Sequence, residues 1–205
     1  MKVKLCLLRV QFFLVCDDET GPPKLLHRKT LGIVPASIGA HLRKNLRFNF
    51  SEFSAGRKRI SLFLPIERKK EINTYKIWEK ALSFGAEVAV PKVNFKTNEL
   101  KQILFESEDQ LEISTFGIPE PKKGRVIAAE HFDYVFVPLL AIDSKGYRVG
   151  YGKGYYDRFL KKCSPRCKFI GLSHFDEFQD TIDDIYSGDV RLHGCITPTN
   201  FYRFD

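Results

Sequence analysis

Residues Gly146 to Asp157 read GYRVGYGKGYYD and gather the side chains best suited to hold phosphate. Gly150, Gly152 and Gly154 let the backbone approach an anion closely and present N–H groups to its oxygens. Arg148 and Lys153 add positive charge on either side. The spacing matches neither common nucleotide loop. No GKS or GKT follows, and the glycines fall at i, i+2 and i+4 rather than at GxGxxG offsets. Two readings therefore stand, a phosphate cradle or a glycine-rich turn with tyrosines packed beneath it. Asp157 also reads two ways, as a partner for a helix dipole or as an oxygen ligand for Mg²⁺ beside a nucleotide phosphate.

These residues need elements to hold them. The stretch Asp133 to Ile142 is Val/Phe-rich and nearly continuous in apolar character, which predicts the strongest strand just upstream of the loop. A helix is expected from about Tyr155 to Cys163, followed by a strand from Lys168 to Leu172. Upstream, Arg59 to Ile66 reads as a short buried strand. Asn73 and Thr74 precede a helical pattern through Tyr75, Ile77, Trp78, Ala81, Leu82 and Phe84, and Gly85 stands where a helix end favours a left-handed residue. Glu87 to Pro91 and Ile103 to Phe105 read as further strands, and Phe116 to Pro121 as a proline-bounded loop. Alternating strands and helices predict an α/β class: one three-layer α/β/α domain with a mostly parallel, Rossmann-like sheet. Ligands of such sheets bind outside the carboxyl ends of the strands, where this loop falls.

The chain has 205 residues, 43% hydrophobic and 28% charged, which excludes a disordered chain. No run approaches the ~20 apolar residues of a membrane-spanning helix, so no membrane partner is expected. Five cysteines (Cys6, Cys16, Cys163, Cys167, Cys195) show no CxxC spacing, which argues against a disulfide framework or zinc site and for a reducing, cytoplasmic setting. Cys163 and Cys167 are spaced to share a helix face, but two thiols alone make a poor metal site. The net charge of +8 favours anionic partners. Its densest groups, Arg57 to Arg59 and Arg68 to Lys70, flank one apolar stretch and read as solvated strand ends. The five histidines are scattered and receive no role.

Residues 1–30 form an atypical segment ahead of a single domain spanning 31–205. MKVKLCLLRVQFFLVC looks superficially like a secretory signal, but Arg9 interrupts the apolar stretch and Leu14 and Val15 are not small residues before a cleavage point. Pro22 and Pro23 then break regular structure.

VPLLAIDSKGYRVGYGKGYYDRFL, Val137 to Leu160, resembles the signature of the 5-formyltetrahydrofolate cyclo-ligase family. RISLFLP (Arg59 to Pro65) with EINT (Glu71 to Thr74), FGIPEP (Phe116 to Pro121) and DVRLHGCIT (Asp189 to Thr197) support it in the family's order, over about residues 57 to 199. The resemblance implies an enzyme that cyclises 5-formyltetrahydrofolate to 5,10-methenyltetrahydrofolate with ATP and Mg²⁺, releasing ADP and phosphate through a phosphorylated formyl (iminium phosphate) intermediate. By position it implies ATP contacts at Arg148, Val149, Gly150, Tyr151, Gly152, Lys153, Gly154, Tyr155 and Tyr156. The folate would meet Leu64 and Glu71 together with Tyr151, Gly152, Lys153, Gly154 and Tyr155. Catalytic roles fall on Glu71, Lys153 and Tyr156, with Lys153 a charge clamp on the transferring phosphoryl group. Mg²⁺ would be held by Asp157 and Asp189. The expected partner is the small-molecule folate, in polyglutamylated form as well, and the expected state is a monomer that does not bind nucleic acid.

Structural roles compete for several of these residues. Leu64 in a strand is core, Glu71 can favour a helix dipole, Asp189 suits a turn, and Tyr155 and Tyr156 can pack under the loop. Three departures from the family stand out. Its N-terminal basic pair has only Lys4 with Arg9, one residue out of spacing, or Lys24 with Arg28; a shifted frame or altered start in the first ~30 residues would account for this. Arg68, Lys69 and Lys70 crowd the folate position, where they could meet a polyglutamate tail. His193 stands where the family usually has aspartate. Two alternatives remain: a non-catalytic relative that binds nucleotide or RNA, and a sugar-phosphate isomerase on a related fold.

Overall fold

The computed structural model describes residues 57–66, 71–114, 117–176, 178, 181–182 and 185–204. The readings on Lys4, Arg9, Lys24, Arg28, Cys6, Cys16, Phe116 and Arg68 to Lys70 lie outside these residues, as does the 1–30 boundary.

The Val/Phe-rich run sits at the centre of an eight-stranded sheet. Strand β7 (Tyr134–Pro138) buries Val135, Phe136 and Val137 completely; burial of one such side chain contributes roughly 1.5–3 kcal/mol. β1 (Arg59–Ser61) lies parallel to β7 on one side and to β2 (Glu87–Asn94) on the other. On the far side of β7, β10 (Lys168–Leu172) and then β11 (Gly194–Ile196) continue the parallel arrangement. Antiparallel strands finish the edges: β12 (Phe201–Arg203) on β11, β3 (Glu99–Leu104) on β2, and β6 (Val126–Ile127) on β3. The order is β12-β11-β10-β7-β1-β2-β3-β6.

Side chains alternate across this sheet, and each face receives a helix. Helix α1 (Tyr75–Ser83) sends Ile77 and Ala81 against Ile60, Leu62, Val88 and Phe136. Helix α2 (Tyr155–Leu160) sends Phe159 and Leu160 against Ala89, Val135, Val137 and Phe169. The expected α/β class with both sheet faces covered is observed.

α1 begins and ends where its sequence dictates. Asn73 Oδ1 accepts from Tyr75 N at 3.0 Å, while Thr74, although at the N-cap, turns its hydroxyl to Phe63 O at 2.5 Å. At the other end Gly85 adopts φ +76°, and Gly85 N and Ala86 N bond Leu82 O and Ala81 O. That pair of bonds satisfies carbonyls the helix leaves open.

Three expected boundaries change. The run from Asp133 to Ile142 divides at Pro138, which has no N–H to extend the ladder. Its second part becomes β8 (Ala141–Ile142), paired with β9 (Arg148–Val149) in a separate hairpin. α2 stops at Leu160 rather than Cys163, because Lys162 N and Cys163 N bond Phe159 O and Leu160 O in tighter turns. The proline-bounded loop contains a short strand, β5 (Pro119–Pro121), paired with β4 (Leu111–Ile113).

Among the described residues no helix is long and apolar enough to cross a membrane. The Arg57 to Arg59 cluster is neutralised at the sheet end, as expected of solvated strand ends. Arg59 Nε meets Glu87 Oε2 at 2.8 Å, and Arg57 and Arg125 reach the same carboxylate. The Arg59 hydrogen bond is the largest influence holding the Glu87 carboxyl below its ordinary range, against an opposing desolvation.

Candidate functional site

The carboxyl end of β7 feeds the hairpin, and the hairpin feeds the glycine-tyrosine loop. Asp143, 0% exposed, sets this path. Its Oδ1 accepts from Lys145 N at 2.9 Å and Tyr147 N at 2.8 Å, and its Oδ2 accepts from Ile182 N at 3.3 Å. Gly146 closes the turn at φ +86°, where a Cβ would lie 2.9 Å from Leu192 O. Any side chain there would push the hairpin off the sheet.

Beyond β9 the chain passes Gly152 (φ +80°) and Gly154 (φ +63°) into α2. Lys153 O accepts from Arg158 Nη2 at 2.8 Å, and Arg158 Nε donates to Asn98 O at 2.9 Å. The Tyr155 hydroxyl reaches Asn98 Oδ1 at 3.3 Å, and the Arg158 guanidinium lies 5.4 Å from the Tyr155 ring centre. The loop is thus anchored to the β2–β3 turn, while Gly152 and Lys153 stay exposed at its tip. Gly150 has an ordinary φ and open space where a Cβ would project.

Two groups of the expected site residues come together here. In the first, Glu71 Oε1 accepts from Tyr151 OH at 2.8 Å, and its Oε2 accepts from Ile66 N at 3.0 Å. Burial and then the Glu71 charge push the Tyr151 phenol up, so it stays a donor at physiological pH. Burial likewise raises Tyr156, followed by the Glu71 charge, with Arg148 acting in the opposite sense. Tyr156 therefore sits within the fields of both residues. Leu64, 5% exposed, packs with Val90 and Phe105, two positions ahead of the Ile66 N–H that orients Glu71.

The second group surrounds Asp157. Its Oδ1 accepts from Arg148 Nη2 at 2.8 Å and from Val190 N at 3.1 Å, while Arg148 Nη1 donates to Val190 O at 2.7 Å. This bidentate latch joins β9, α2 and the strand-like segment after Asp189. Asp189 Oδ2 accepts from Tyr186 N at 2.9 Å, and Asp189 N donates to Tyr186 O at 2.9 Å. Among the described residues no cluster of three or more His, Cys, Asp or Glu stands ready for a metal.

Sequence reasoning passed over a buried polar pair on the same face. Ser61 lies opposite Ala89 and Val135, and Gln102 opposite Pro91, one pleat nearer the carboxyl ends. Ser61 Oγ donates to Gln102 Oε1 at 3.0 Å; Gln102 is 1% exposed, and its Nε2 has no partner among the described residues. A glutamine amid β-strand apolar residues was the available signal. Asp143 was also passed over, although an aspartate three residues before glycine is a turn signature.

His193 Nδ1 accepts from Phe169 N at 3.0 Å. A carboxylate oxygen can accept the same bond, which gives a reason for histidine and aspartate to alternate at this position.

An open α/β sheet with an anchored glycine-tyrosine loop beyond its carboxyl edge is the frame of a small-ligand-binding protein. The sequence profile of the 5-formyltetrahydrofolate cyclo-ligase family matches residues 43–174, and the chain belongs to that family. A mouse 5-formyltetrahydrofolate cyclo-ligase is 31% identical over 113 residues, 52% of this chain and 55% of that one. A probable 5-formyltetrahydrofolate cyclo-ligase of Caenorhabditis elegans is 31% identical over 162 residues, 72% of this chain and 76% of that one. The match spans about half the length of the mouse relative and of one from Schizosaccharomyces pombe. The NMR structure of an Aquifex aeolicus 5,10-methenyltetrahydrofolate synthetase superposes with a TM-score of 0.62 at 30% identity, covering 82% of this chain and 79% of that one.

Proposed function

We propose that this chain is an enzyme that converts 5-formyltetrahydrofolate to 5,10-methenyltetrahydrofolate, consuming ATP with Mg²⁺ and releasing ADP and phosphate. The observation that carries the reading is the Glu71–Tyr151 bond. It joins the segment expected to meet the folate to the loop expected to meet ATP. Family membership supplies the reaction class.

The chemistry is a dehydrating ring closure. The formyl oxygen attacks the terminal phosphorus of ATP and ADP departs, giving an iminium phosphate. The N10 lone pair then closes on the activated carbon, N10 loses its proton, and phosphate leaves. Glu71, fixed at both oxygens by Tyr151 and Ile66, presents its remaining lone pairs in one orientation to substrate N–H groups. Tyr156 holds its proton between Glu71 and Arg148, a neutral donor beside the reacting region. Lys153, at the exposed loop tip, supplies positive charge where phosphoryl charge develops. Gly150 has no conformational need to be glycine, so close approach of a ligand to the backbone explains the missing side chain.

The donor set suits Mg²⁺. Asp157 Oδ2 and Asp189 Oδ1 take no hydrogen bond from the described residues, leaving two hard oxygens beside the loop. When bound there, Mg²⁺ would neutralise charge on the phosphate oxygens. The free thiols Cys163, Cys167 and Cys195 fit a reducing setting such as the cytoplasm.

The test is the absorbance of the methenyl product formed from 5-formyltetrahydrofolate with and without Mg-ATP. ATP-dependent product is expected. Nucleotide or RNA binding without product would instead mark a non-catalytic relative.

A further inference from the structure

α2 ends at Leu160, and the chain then folds back within seven residues to start β10. Cys163 N bonds Leu160 O at 3.1 Å, Cys167 N bonds Ser164 O at 2.9 Å, and Lys168 N bonds Asp133 O at 2.8 Å. This double turn sets Cys163 and Cys167 against each other, both reduced and both packed on the apolar cluster beneath α2. Their side chains share a hydrogen bond, in which the Cys167 thiol stabilises a thiolate at Cys163. Cys163 is half-buried and open to reagents, whereas Cys167 is 1% exposed. Lys161, Lys162 and Arg166 flank the pair with positive charge.

We propose that Cys163 and Cys167 form a reversible dithiol–disulfide site, with Cys163 the attacking thiol and Cys167 the resolving one, oxidised by an anionic low-molecular-weight disulfide of the glutathione type. The asymmetry fits those roles. The Cys167 hydrogen bond is the largest influence lowering Cys163, against burial and the Glu130 charge. Cys167 is raised by giving that bond, by burial and by the charges of Cys163 and Asp133, with Lys168 opposing. Sulfurs already in hydrogen-bond contact need only a short displacement to reach the ~2.05 Å of a disulfide.

The step balances. The Cys163 thiolate attacks one sulfur of the disulfide, forming a mixed disulfide and expelling one small thiolate. Cys167 loses its proton as that thiolate forms a thiol, and its sulfur attacks Cys163 Sγ. The second small thiolate leaves and takes up the remaining proton. Two protein thiols are oxidised by two electrons, and one small disulfide is reduced to two thiols.

The test equilibrates the full chain with oxidised and reduced glutathione at several ratios. Remaining thiols are then alkylated, and a chymotryptic peptide spanning both cysteines is weighed. The expected result is loss of alkylation at both sites, with the peptide lighter by two hydrogens and restored by excess reduced glutathione. Cys167→Ser should instead retain a glutathione adduct on Cys163, and Cys163→Ser should leave Cys167 fully alkylated after unfolding. A wild-type peptide that keeps both alkyl groups, or carries a lasting adduct, would overturn the proposal. So would a Cys163 linkage to Cys6 or Cys16. The wild-type measurement stands even if either variant fails to fold.

Discussion

Tyr151 donates its phenolic proton to Glu71 Oε1 at 2.8 Å, closing a contact between residues 80 positions apart in sequence. Neither residue reaches the other through regular structure. The bond depends on the loop beyond β9 and on the Ile66 N–H that holds the other carboxylate oxygen. Tyr151 stays protonated because burial and the Glu71 charge both raise its phenol, so the bond persists through neutral and mildly alkaline pH.

Glu71→Gln keeps the shape but leaves one acceptor oxygen for two donors. A hydrogen bond to a charged group contributes about 1.5–3 kcal/mol, so kcat/KM for cyclisation should fall by roughly tenfold to a few hundredfold. Tyr151→Phe should lose part of the same effect, and the double variant should lose less than the sum. Steady-state kinetics on the four proteins checks this. Strict additivity would mean that the two residues act separately.

Asp157 carries two duties that its variants can separate. It neutralises Arg148, whose side chain is 6% exposed against 24% for Asp157, and it offers its second oxygen to Mg²⁺. Asp157→Asn should lower unfolding stability by on the order of 3 kcal/mol, because it leaves a buried guanidinium without its countercharge. It should also raise the Mg²⁺ needed for half-maximal turnover. Arg148→Met should lower stability comparably without raising the Mg²⁺ requirement. An equal Mg²⁺ shift in both variants would trace the effect to a distorted latch.

Lys153 is the cleanest probe of the loop, since its carbonyl, not its ammonium, receives the Arg158 bond that anchors the backbone. Lys153→Ala should reduce kcat by roughly 10²–10³-fold while thermal unfolding stays near that of the parent. Near-normal kcat would remove the loop charge from the reaction.

The elements that position these residues were legible to different degrees. Val135, Phe136 and Val137 announce a central strand because burial on both faces demands an uninterrupted apolar run. Gly85 announces the end of α1 because its φ of +76° suits glycine best. The division at Pro138 was less visible, since the apolar run continues through Ile142 and only the missing N–H marks the break. In the site, glycine spacing and flanking charge pointed to the loop without showing what Arg148 would meet. Its partners Asp157 and Val190 are nine and 42 positions away, and only the fold closes that latch. Gln102 stayed hidden because one polar residue in a strand has no periodic signature.

His193 makes the fold sensitive to acid in a definable window. Its Nδ1 accepts from Phe169 N, so the bond requires an unprotonated ring. Burial is the largest influence lowering its pKa below the ordinary value of 6.5, with the Lys168 and Arg191 charges adding to it. The neutral form is therefore favoured in the folded state, and below about pH 6.5 the unfolded chain binds more protons than the folded one. The stabilisation is complete above that pH and declines as pH falls toward the depressed folded value. His193→Asn keeps an acceptor oxygen that does not titrate, and His193→Asp keeps one that stays ionised down to about pH 4. Thermal unfolding followed by circular dichroism at pH 7 and pH 5 should show a larger drop in Tm for the parent than for either variant. An equal drop in all three proteins would place the acid sensitivity elsewhere, and a parent less sensitive than the variants would reverse the sign argued from the Phe169 bond.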